Sequence, residues 1–201
     1  MNATPTVSVI IPFFNQAVLL RKCLAALEKQ TYPRELVQII AVDNGSTVPP
    51  KEPHLDFPRV LWLSESRPGS YGARNRGLSH ATGELVAFTD SDCVPSPTWI
   101  EEGVRFLMNS SATVAGGRID YITPENRELN IYEIFEARMY SLDRQKDLIE
   151  DKCVAATANL ITHRAVFERV GNFNESLKSH GDGEWVRRAV HSGGSLRYAS
   201  K

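Results

Sequence analysis

The stretch Phe88-Thr89-Asp90-Ser91-Asp92-Cys93 follows the apolar run Leu85-Val86-Ala87, which predicts a short buried strand. Two acids that are separated by a single residue, just beyond a buried strand, can both reach a hard cation such as Mg²⁺ or Mn²⁺, while phosphate oxygens complete the coordination shell of the ion. The carboxyl ends of strands in an open α/β sheet are also where ligands bind. The alternative is an Asp-Ser-Asp turn with a capping role, because Asp and Ser are common turn residues. The neighbouring segments decide between the two.

The composition is that of an ordinary soluble globular protein, with 42% apolar and 23% charged residues among 201. The formal charge of −1 gives no electrostatic basis for binding nucleic acid or an anionic membrane, so a phosphorylated ligand needs a local site. Cys23, Cys93 and Cys153 are too far apart in sequence to suggest a zinc site or a disulfide framework, which favours a reducing compartment. The N-terminus is too short and polar for a signal peptide, and no apolar run reaches the length of a membrane span.

The first half of the chain predicts alternating strands and helices, with a polar loop after each strand. A β-branched run that ends in proline, Val7–Pro12, is typical of a strand buried on both faces. A helix follows, with Asn15 placed to cap its first turn and Pro33 just beyond its end. The second strand, Leu36–Val42, delivers Asp43-Asn44-Gly45-Ser46 at its end. These segments predict a β-α-β unit.

Glycine, serine and arginine alternate between Arg67 and Gly77, immediately before the strand that carries the two acids. Glycines let backbone N–H groups approach a phosphate, and arginine offers it planar, charge-assisted hydrogen bonds. The alternative is a flexible basic loop before a solvated helix, but the position beside the acids favours a phosphate site. Residues 47–58 contain four prolines and predict a surface loop or a short broken helix, followed by a weak strand over Arg59–Ser64.

The second half predicts further helices and strands around a region of mixed character. Aromatic and charged residues mix between 120 and 152, where residues 131–138 predict a half-exposed helix that either forms a rim for a second substrate or simply packs. Asp182 stands at the start of a final helix. One further helix is predicted over Thr98–Asn109, with Ser96 as its cap, and another over His163–Val170. Further strands are predicted over Ala112–Ile119, Cys153–Ile161 and Ser195–Ala199.

Five segments stand in one order along the chain: Val9-Ile10-Ile11-Pro12-Phe13-Phe14-Asn15, Asp43-Asn44-Gly45-Ser46, Ala73-Arg74-Asn75-Arg76-Gly77, Thr89-Asp90-Ser91-Asp92 and Gly181-Asp182-Gly183-Glu184-Trp185. This ordered set resembles the family-2 glycosyltransferases, which are inverting sugar transferases of the GT-A fold. The resemblance implies an α/β fold, the GT-A type of Rossmann-like three-layer sandwich with a mostly parallel central sheet. It also implies a single domain over residues 1–201, with a nucleotide-binding half over about 1–95, an acceptor-binding half over about 96–201, and a truncated C-terminus.

By that resemblance, the three acids have distinct roles. Asp90 and Asp92 match the family's D-x-D pair, with Asp92 as the direct ligand of Mn²⁺ or Mg²⁺ and Asp90 shared between ribose and metal. Asp182 matches the catalytic base. The remaining donor-site residues are expected to border the nucleobase (Pro12, Phe14, Asp43 and Asn44), to contact the nucleotide (Ser46 and Ser91), or to lie near the diphosphate or donor sugar (Arg74 and Asn75).

The implied reaction is metal-dependent transfer of a sugar, with inversion, from a nucleotide-diphosphate donor to an acceptor hydroxyl in polysaccharide, glycolipid or cell-envelope glycan synthesis. UDP is the default nucleotide, with GDP and dTDP open. The acceptor is a sugar, a lipid-linked compound or another alcohol, and nucleic acid is not expected as a partner. We expect a cytoplasmic protein that meets the membrane only through a region beyond Lys201.

The chain departs from the family at Gly181, where many members carry a second acid. Asp182 opens a helix, so a capping role competes with catalysis, and both can hold. The Gln-x-x-Arg-Trp motif of processive polymerases does not occur, which disfavours processive synthesis. Two other functions stay open. A related nucleotidyltransferase would need a glycine- and lysine-rich loop that Phe13-Phe14-Asn15-Gln16 does not provide, and the three acids argue against a catalytically silent sugar-nucleotide-binding module.

Overall fold

The computed structural model describes residues 4–50, 53–121, 128, 130–134 and 144–200. Seven strands lie in this part of the chain: β1 (Val7–Phe13), β2 (Val37–Asp43), β3 (Val60–Ser64), β4 (Leu85–Phe88), β5 (Val114–Gly117), β6 (Leu160–His163) and β7 (Leu196–Ala199). They form one sheet in the order β3-β2-β1-β4-β6-β5-β7. Only β6 runs antiparallel to its neighbours among these seven strands, so the predicted mostly parallel sheet is confirmed.

Helices cover both faces of this sheet. They are α1 (Ala17–Leu27), α2 (Pro53–Asp56), α3 (Ser70–Leu78), α4 (Trp99–Asn109), α5 (Arg144–Lys152), α6 (Arg164–Val170) and α7 (Gly181–His191), and residues 131–134 are also helical. One hydrophobic core lies against α1 and α4, and the other lies against α3, α6 and α7. The result is a three-layer α/β sandwich. None of the helices in the described residues combines the length and the apolar character that a bilayer span requires.

The side chains of β1 alternate between the two cores, because successive residues of a strand point to opposite faces. Val9 and Ile11 enter the core beneath α1, whereas Ile10 enters the core beneath α3. Every residue of β1 is buried, as the sequence predicts. The central position of β1 between β2 and β4 sets the ends of these three parallel strands side by side.

The prediction that Pro12 ends β1 is wrong, because the strand continues to Phe13. Proline has no N–H, but the backbone of Pro12 faces the side of β4, which has already ended. The last bond on that side runs from the Thr89 N–H to the Ile10 carbonyl oxygen at 3.4 Å. On the side of β2, the Asn44 N–H still reaches the Phe13 carbonyl oxygen at 2.8 Å. The missing N–H of Pro12 therefore lies where the pairing with β4 stops, and the pairing with β2 continues past it.

Asn15 does not cap α1, which begins at Ala17 after Gln16 without a side-chain cap. Asn15 has a φ of 55°, and its side-chain oxygen accepts the N–H of Thr47 at 2.9 Å and the hydroxyl of the same residue at 3.0 Å. The predicted cap is wrong because a left-handed backbone directs this side chain to the loop after β2. Asn is one of the few residues that adopt this conformation readily.

Most of the stretch over residues 67–77, for which a flexible basic loop was the alternative to a phosphate site, is a buried helix. Ser70–Leu78 forms α3, and most of its residues are buried. Gly77 lets this helix approach the sheet closely, because a Cβ atom there would lie 2.5 Å from Cγ2 of Ile10. The glycine that suggests a loop in the sequence is therefore a helix–sheet packing residue.

Several boundaries in the second half also differ from prediction. Ser96 is not the cap of α4, which begins after Thr98 without a side-chain cap. The strand predicted from Cys153 begins only at Leu160, because Cys153 has a φ of 54° and residues 157–159 form a 3₁₀ turn. Residues 131–134 are helical as predicted, and residues 135–138 of the predicted rim helix lie outside the described residues.

Candidate active site

Polar residues follow three neighbouring strands at one edge of the sheet. Asp43 is the last residue of β2 and pairs in register with Phe13, the last residue of β1. Asp90 comes two residues after β4 ends. Because β2, β1 and β4 are parallel neighbours, the loops that leave them open on the same edge, where α/β proteins bind ligands.

The loop after β2 is tied to the loop after β1. The Ser46 N–H donates to Oδ1 of Asp43 at 2.9 Å, and the Asn15 N–H donates to the Ser46 hydroxyl at 2.9 Å. Gly45 takes a φ of 82°, which lets the chain turn tightly here. Phe14 stands at this junction with 53% of its surface exposed. Among the predicted nucleobase residues, Phe14 therefore offers an open aromatic ring, whereas Pro12 is buried inside β1.

The amide of Asn44 holds the neighbouring loop. Its nitrogen donates to the carbonyl oxygens of Glu65 at 3.1 Å and Arg67 at 2.8 Å, and its oxygen accepts the Gly69 N–H at 2.8 Å. Both amide donors are therefore used within the protein. Asn44 fixes the segment that leads into α3.

Asp90 is paired with Arg74 of α3. A guanidinium nitrogen of Arg74 lies 2.5 Å from Oδ1 of Asp90, and the side chains are 5% and 37% exposed, respectively. The Nε atom of Arg74 is buried and has no hydrogen-bond partner among the described residues. Ser91, between the two acids, is buried, and its hydroxyl donates to the side-chain oxygen of Gln16. The basic side chain predicted for the donor phosphates thus lies directly against the first acid.

Asp92 is exposed, and its Oδ1 accepts a hydrogen bond from the Cys93 thiol at 3.9 Å. Partial desolvation, and then the negative charge of Asp90, raise the pKa of Asp92. Burial, and then the charge of Asp90, raise the pKa of the Cys93 thiol to about 11, so the thiol keeps its proton at neutral pH. Two neighbouring carboxylates provide the oxygen ligands that a hard divalent cation prefers.

No group of three or more His, Cys, Asp or Glu side chains in the described residues is arranged to hold a metal ion. A cation at Asp90 and Asp92 would therefore take further oxygen ligands from a bound molecule or from water. Mg²⁺ commonly binds in this way, through one or two carboxylates and substrate phosphates. The residues present fit a cation that is shared with a phosphorylated ligand.

Asp182 is the second residue of α7. Its Oδ1 accepts the Gly183 N–H at 2.9 Å and lies 3.4 Å from the hydroxyl of Tyr71, and its Oδ2 lies 3.4 Å from the Thr157 N–H. The first of these contacts lies within the first turn of α7, but the cap position is His180 and the helix has no side-chain cap, so Asp182 is not the cap. The others direct the carboxylate towards α3 and the segment before β6.

Helix α3 connects the two groups of acids. Arg74 contacts Asp90, and Tyr71, one turn earlier, contacts Asp182. The guanidinium carbon of Arg74 lies 5.7 Å from the centre of the Tyr71 ring. Asp90 and Asp182, which are far apart in sequence, therefore lie on either side of a single turn of one helix.

Asn75 lies on another face of α3 and is buried. Its amide nitrogen donates to the Phe173 carbonyl oxygen and to Glu175, both at 2.9 Å, and its oxygen accepts the Phe173 N–H at 3.0 Å. The side chain predicted to lie near the diphosphate or sugar joins α3 to the segment that precedes α7.

Tyr71 and an ion-pair network around Arg67 were missed by the sequence reasoning. Arg67 pairs with Glu65 at 3.0 Å and with Glu175 at 2.6 Å. Side-chain and backbone hydrogen bonds from Arg67 lower the pKa of Glu65 to about 2. A helical interpretation of residues 70–78 would have set Tyr71 one turn from Arg74, but the contact of Tyr71 with Asp182 depends on a distant segment of the chain.

With the geometry described, comparison with known proteins identifies the family. The family model for Glycosyl transferase family 2 matches residues 8–171. The chain belongs to this family. Glycosyltransferase AglE of Haloferax volcanii is 35% identical over 98% of the chain and 66% of its own length. The pre-mycofactocin glycosyltransferase of Mycobacterium tuberculosis is 27% identical over 96% of the chain and 40% of its own length, so the chain spans 66% or less of these two relatives.

Solved structures of glycosyltransferases share the fold. The mannosyltransferase PcManGT from Pyrobaculum calidifontis, in complex with GDP-Man and Mn²⁺, matches 100% of the chain and 56% of its own chain at 22% identity, with a TM-score of 0.75. TarS of S. aureus in complex with UDP matches 98% of the chain and 58% of its own at 19% identity, with a TM-score of 0.76. The predicted GT-A fold is confirmed.

Proposed function

We propose that this chain catalyses metal-dependent, inverting transfer of a sugar from a nucleoside diphosphate donor to an acceptor hydroxyl. The observation that carries the proposal is that Arg74 and Tyr71, one turn apart on α3, contact Asp90 and Asp182. One helix thus brings the proposed site for the donor phosphates, at Arg74 and Asp90, close to the carboxylate of Asp182. Residues before about position 95 bind the donor, and the remainder binds the acceptor.

The donor's nucleoside lies against the loops after β1 and β2. Phe14 supplies an exposed ring for stacking on the base, a contact typically worth about 1–3 kcal/mol. One carboxylate oxygen of Asp43 accepts the Ser46 N–H. The other oxygen accepts a hydrogen bond from the base or the ribose of the donor. Pro12 and Asn44 shape this surface indirectly, because Pro12 is buried in β1 and the side-chain amide of Asn44 holds the loop that leads into α3.

The diphosphate lies near Arg74, Asp90 and Asp92. Asp92 and the free oxygen of Asp90 would hold Mn²⁺ or Mg²⁺, and the bound ion would neutralise charge on the departing nucleoside diphosphate. Arg74 holds Asp90 in place and offers a buried positive charge on the same side. The presence of Mn²⁺ with GDP-Man in the Pyrobaculum structure supports this part of the proposal.

Asp182 accepts the proton of the acceptor hydroxyl as its oxygen attacks the anomeric carbon. The bond from that carbon to the nucleoside diphosphate breaks on the opposite face, so the configuration inverts. Such general-base assistance typically contributes about 10²- to 10⁴-fold to the rate. Thr157 and Gly183 hold the carboxylate through backbone N–H groups, which fixes its orientation.

The test is a panel of UDP-GlcNAc, UDP-Glc and GDP-Man, each with Mn²⁺ or with EDTA, scored for binding by calorimetry and for slow donor hydrolysis. At least one donor should bind with Mn²⁺ and lose affinity with EDTA. Asp182→Asn should keep that affinity while hydrolysis falls by about 10²- to 10⁴-fold. Asp147→Asn, at an exposed position on α5, is the matched control and should change neither. Wild-type turnover by Asp182→Asn would remove this residue from the mechanism.

A further inference from the structure

Tyr71 touches the proposed base and has no role in the mechanism described above. The side chain is buried, with 7% of its surface exposed. Its hydroxyl accepts the Gly181 N–H at 2.8 Å and lies 3.4 Å from Oδ1 of Asp182. A phenol accepts and donates at the same time, so one hydroxyl meets the first two residues of α7.

The Tyr71 ring explains why position 181 is glycine. A Cβ atom there would lie 2.6 Å from Cε2 and 2.7 Å from Cζ of the ring, closer than real Cβ atoms come. Gly181 is not among the glycines at positive φ in the described residues, so its backbone conformation does not demand glycine. The ring fills the space that a side chain at Gly181 would need, at the position where the chain departs from the family.

The Tyr71 ring is fixed from two sides. It lies 5.8 Å from the ring of Phe173, and the guanidinium of Arg74 lies 5.7 Å from its centre. Burial, and then the negative charge of Asp182, raise the pKa of Tyr71. The phenol therefore keeps its proton at neutral pH and acts as a hydrogen-bond donor to the carboxylate.

We propose that Tyr71 is a positioning residue for Asp182 and that Gly181 is required to admit it. The inference rests on the proposed function of Asp182 as the base. The Tyr71 hydroxyl and the Gly183 N–H contact one oxygen of the carboxylate, and the Thr157 N–H contacts the other. Catalytic hydrogen bonds are often long without substrate and tighten in the complex, which agrees with the 3.4 Å contacts here.

The first test needs no substrate. Tyr71→Phe removes the hydroxyl and keeps the ring, whereas Tyr32→Phe removes an equally buried hydroxyl that donates to the Pro5 carbonyl oxygen at 2.6 Å. In ¹³C spectra, the side-chain carboxyl signal of Asp182 should move in Tyr71→Phe and stay in place in Tyr32→Phe. An unmoved signal in Tyr71→Phe would overturn the proposal.

The second test separates positioning from binding. With the donor of the panel that the protein hydrolyses, Tyr71→Phe should lower kcat by about 10- to 100-fold, because a small misplacement of a catalytic group has effects of this size. The KM for the donor should stay within about twofold, because the substitution removes a contact that Tyr71 makes to the base and not to the donor. A raised KM with unchanged kcat would contradict the positioning role. The Asp182→Asn variant reports separately on the proposed function.

The third test concerns the paired positions. Gly181→Ala should lower the thermal unfolding midpoint in the wild-type background and have little effect in a Tyr71→Ala background, where the ring is gone. Equal destabilisation in both backgrounds would show that the ring does not exclude the side chain and would overturn the pairing. This result is independent of catalysis, so it stands whether or not a donor is turned over.

Discussion

Arg74 approaches Asp90 to 2.5 Å from the side of α3, and the arginine is almost fully buried while more than a third of the aspartate side chain is exposed. The buried guanidinium of Arg74 thus compensates the charge of Asp90 from the protein interior, while the other side of the aspartate faces solvent. An acid held in this way stays oriented at the edge where the loops of β1, β2 and β4 meet.

Replacing Arg74 should reduce both stability and donor affinity. Arg74→Met leaves Asp90 without its partner, and we expect a loss of about 1–3 kcal/mol in the free energy of unfolding, since an unpaired polar group carries a cost of this order. Arg74→Lys should recover little, because an ammonium group does not reproduce the planar guanidinium. Urea unfolding and calorimetry with the nucleotide donor measure the two effects. Full donor affinity in Arg74→Met would contradict a role for Arg74 in the donor site.

Asn75 should matter for stability, because its amide makes three hydrogen bonds to the segment before α7. We expect Asn75→Ala to lower the free energy of unfolding by about 2–4 kcal/mol, the sum of several buried hydrogen bonds. Asn174→Ala is the control, since its side chain makes only local bonds to Ser176 on the surface. Equal, small losses for the two variants in urea unfolding would count against the buried linkage.

Gly77 should be needed for the approach of α3 to the sheet. A Cβ atom there would lie 2.5 Å from Cγ2 of Ile10, so Gly77→Ala overpacks the core and should cost about 1–3 kcal/mol. In an Ile10→Ala background the same substitution should cost much less, because the colliding methyl group is absent. A double-mutant cycle by urea unfolding measures the coupling, and strict additivity would argue against this contact.

Glu65 should contribute to acid sensitivity. Hydrogen bonds from Arg67 lower its pKa from 4.5 to about 2. Because the folded pKa lies below the unfolded value, the stabilisation is present above about pH 4.5 and is lost as the pH falls towards 2. The stability difference between wild type and Glu65→Gln should therefore shrink over this interval. Urea unfolding at several pH values tests this, and a difference that does not depend on pH would refute it.

The sequence predicts the strands and the positions of Asp43, Asp90 and Asp92, because short β-branched or apolar runs followed by polar residues are local signals. The sequence does not predict the structural role of Asn44, because the hydrogen-bond partners of this residue lie in a loop about twenty residues away, and the path of that loop depends on the fold. The cap assigned to Asn15 fails for a similar reason. A single left-handed residue redirects the side chain, and no local pattern marks it.

The sequence of α3 predicts a phosphate site or a flexible basic loop, although glycine also occurs at points of close packing. Only the sheet beneath Gly77 shows which applies, and that sheet includes Ile10, distant in sequence. Tyr71 was missed because its partners, Gly181 and Asp182, lie more than a hundred residues further along the chain. Spacing in one segment predicts a helix face, but it does not predict what packs against that face.

The most direct measurement is the anomalous scattering of Mn²⁺ in crystals grown with UDP or GDP. The account predicts Mn²⁺ at about 2 Å from a carboxylate oxygen of Asp92 and from the diphosphate, with the base stacked near Phe14 and Asp182 facing the same opening. Mn²⁺ and nucleotide bound away from Asp92, or Asp182 opening onto a different surface from the diphosphate, would contradict it.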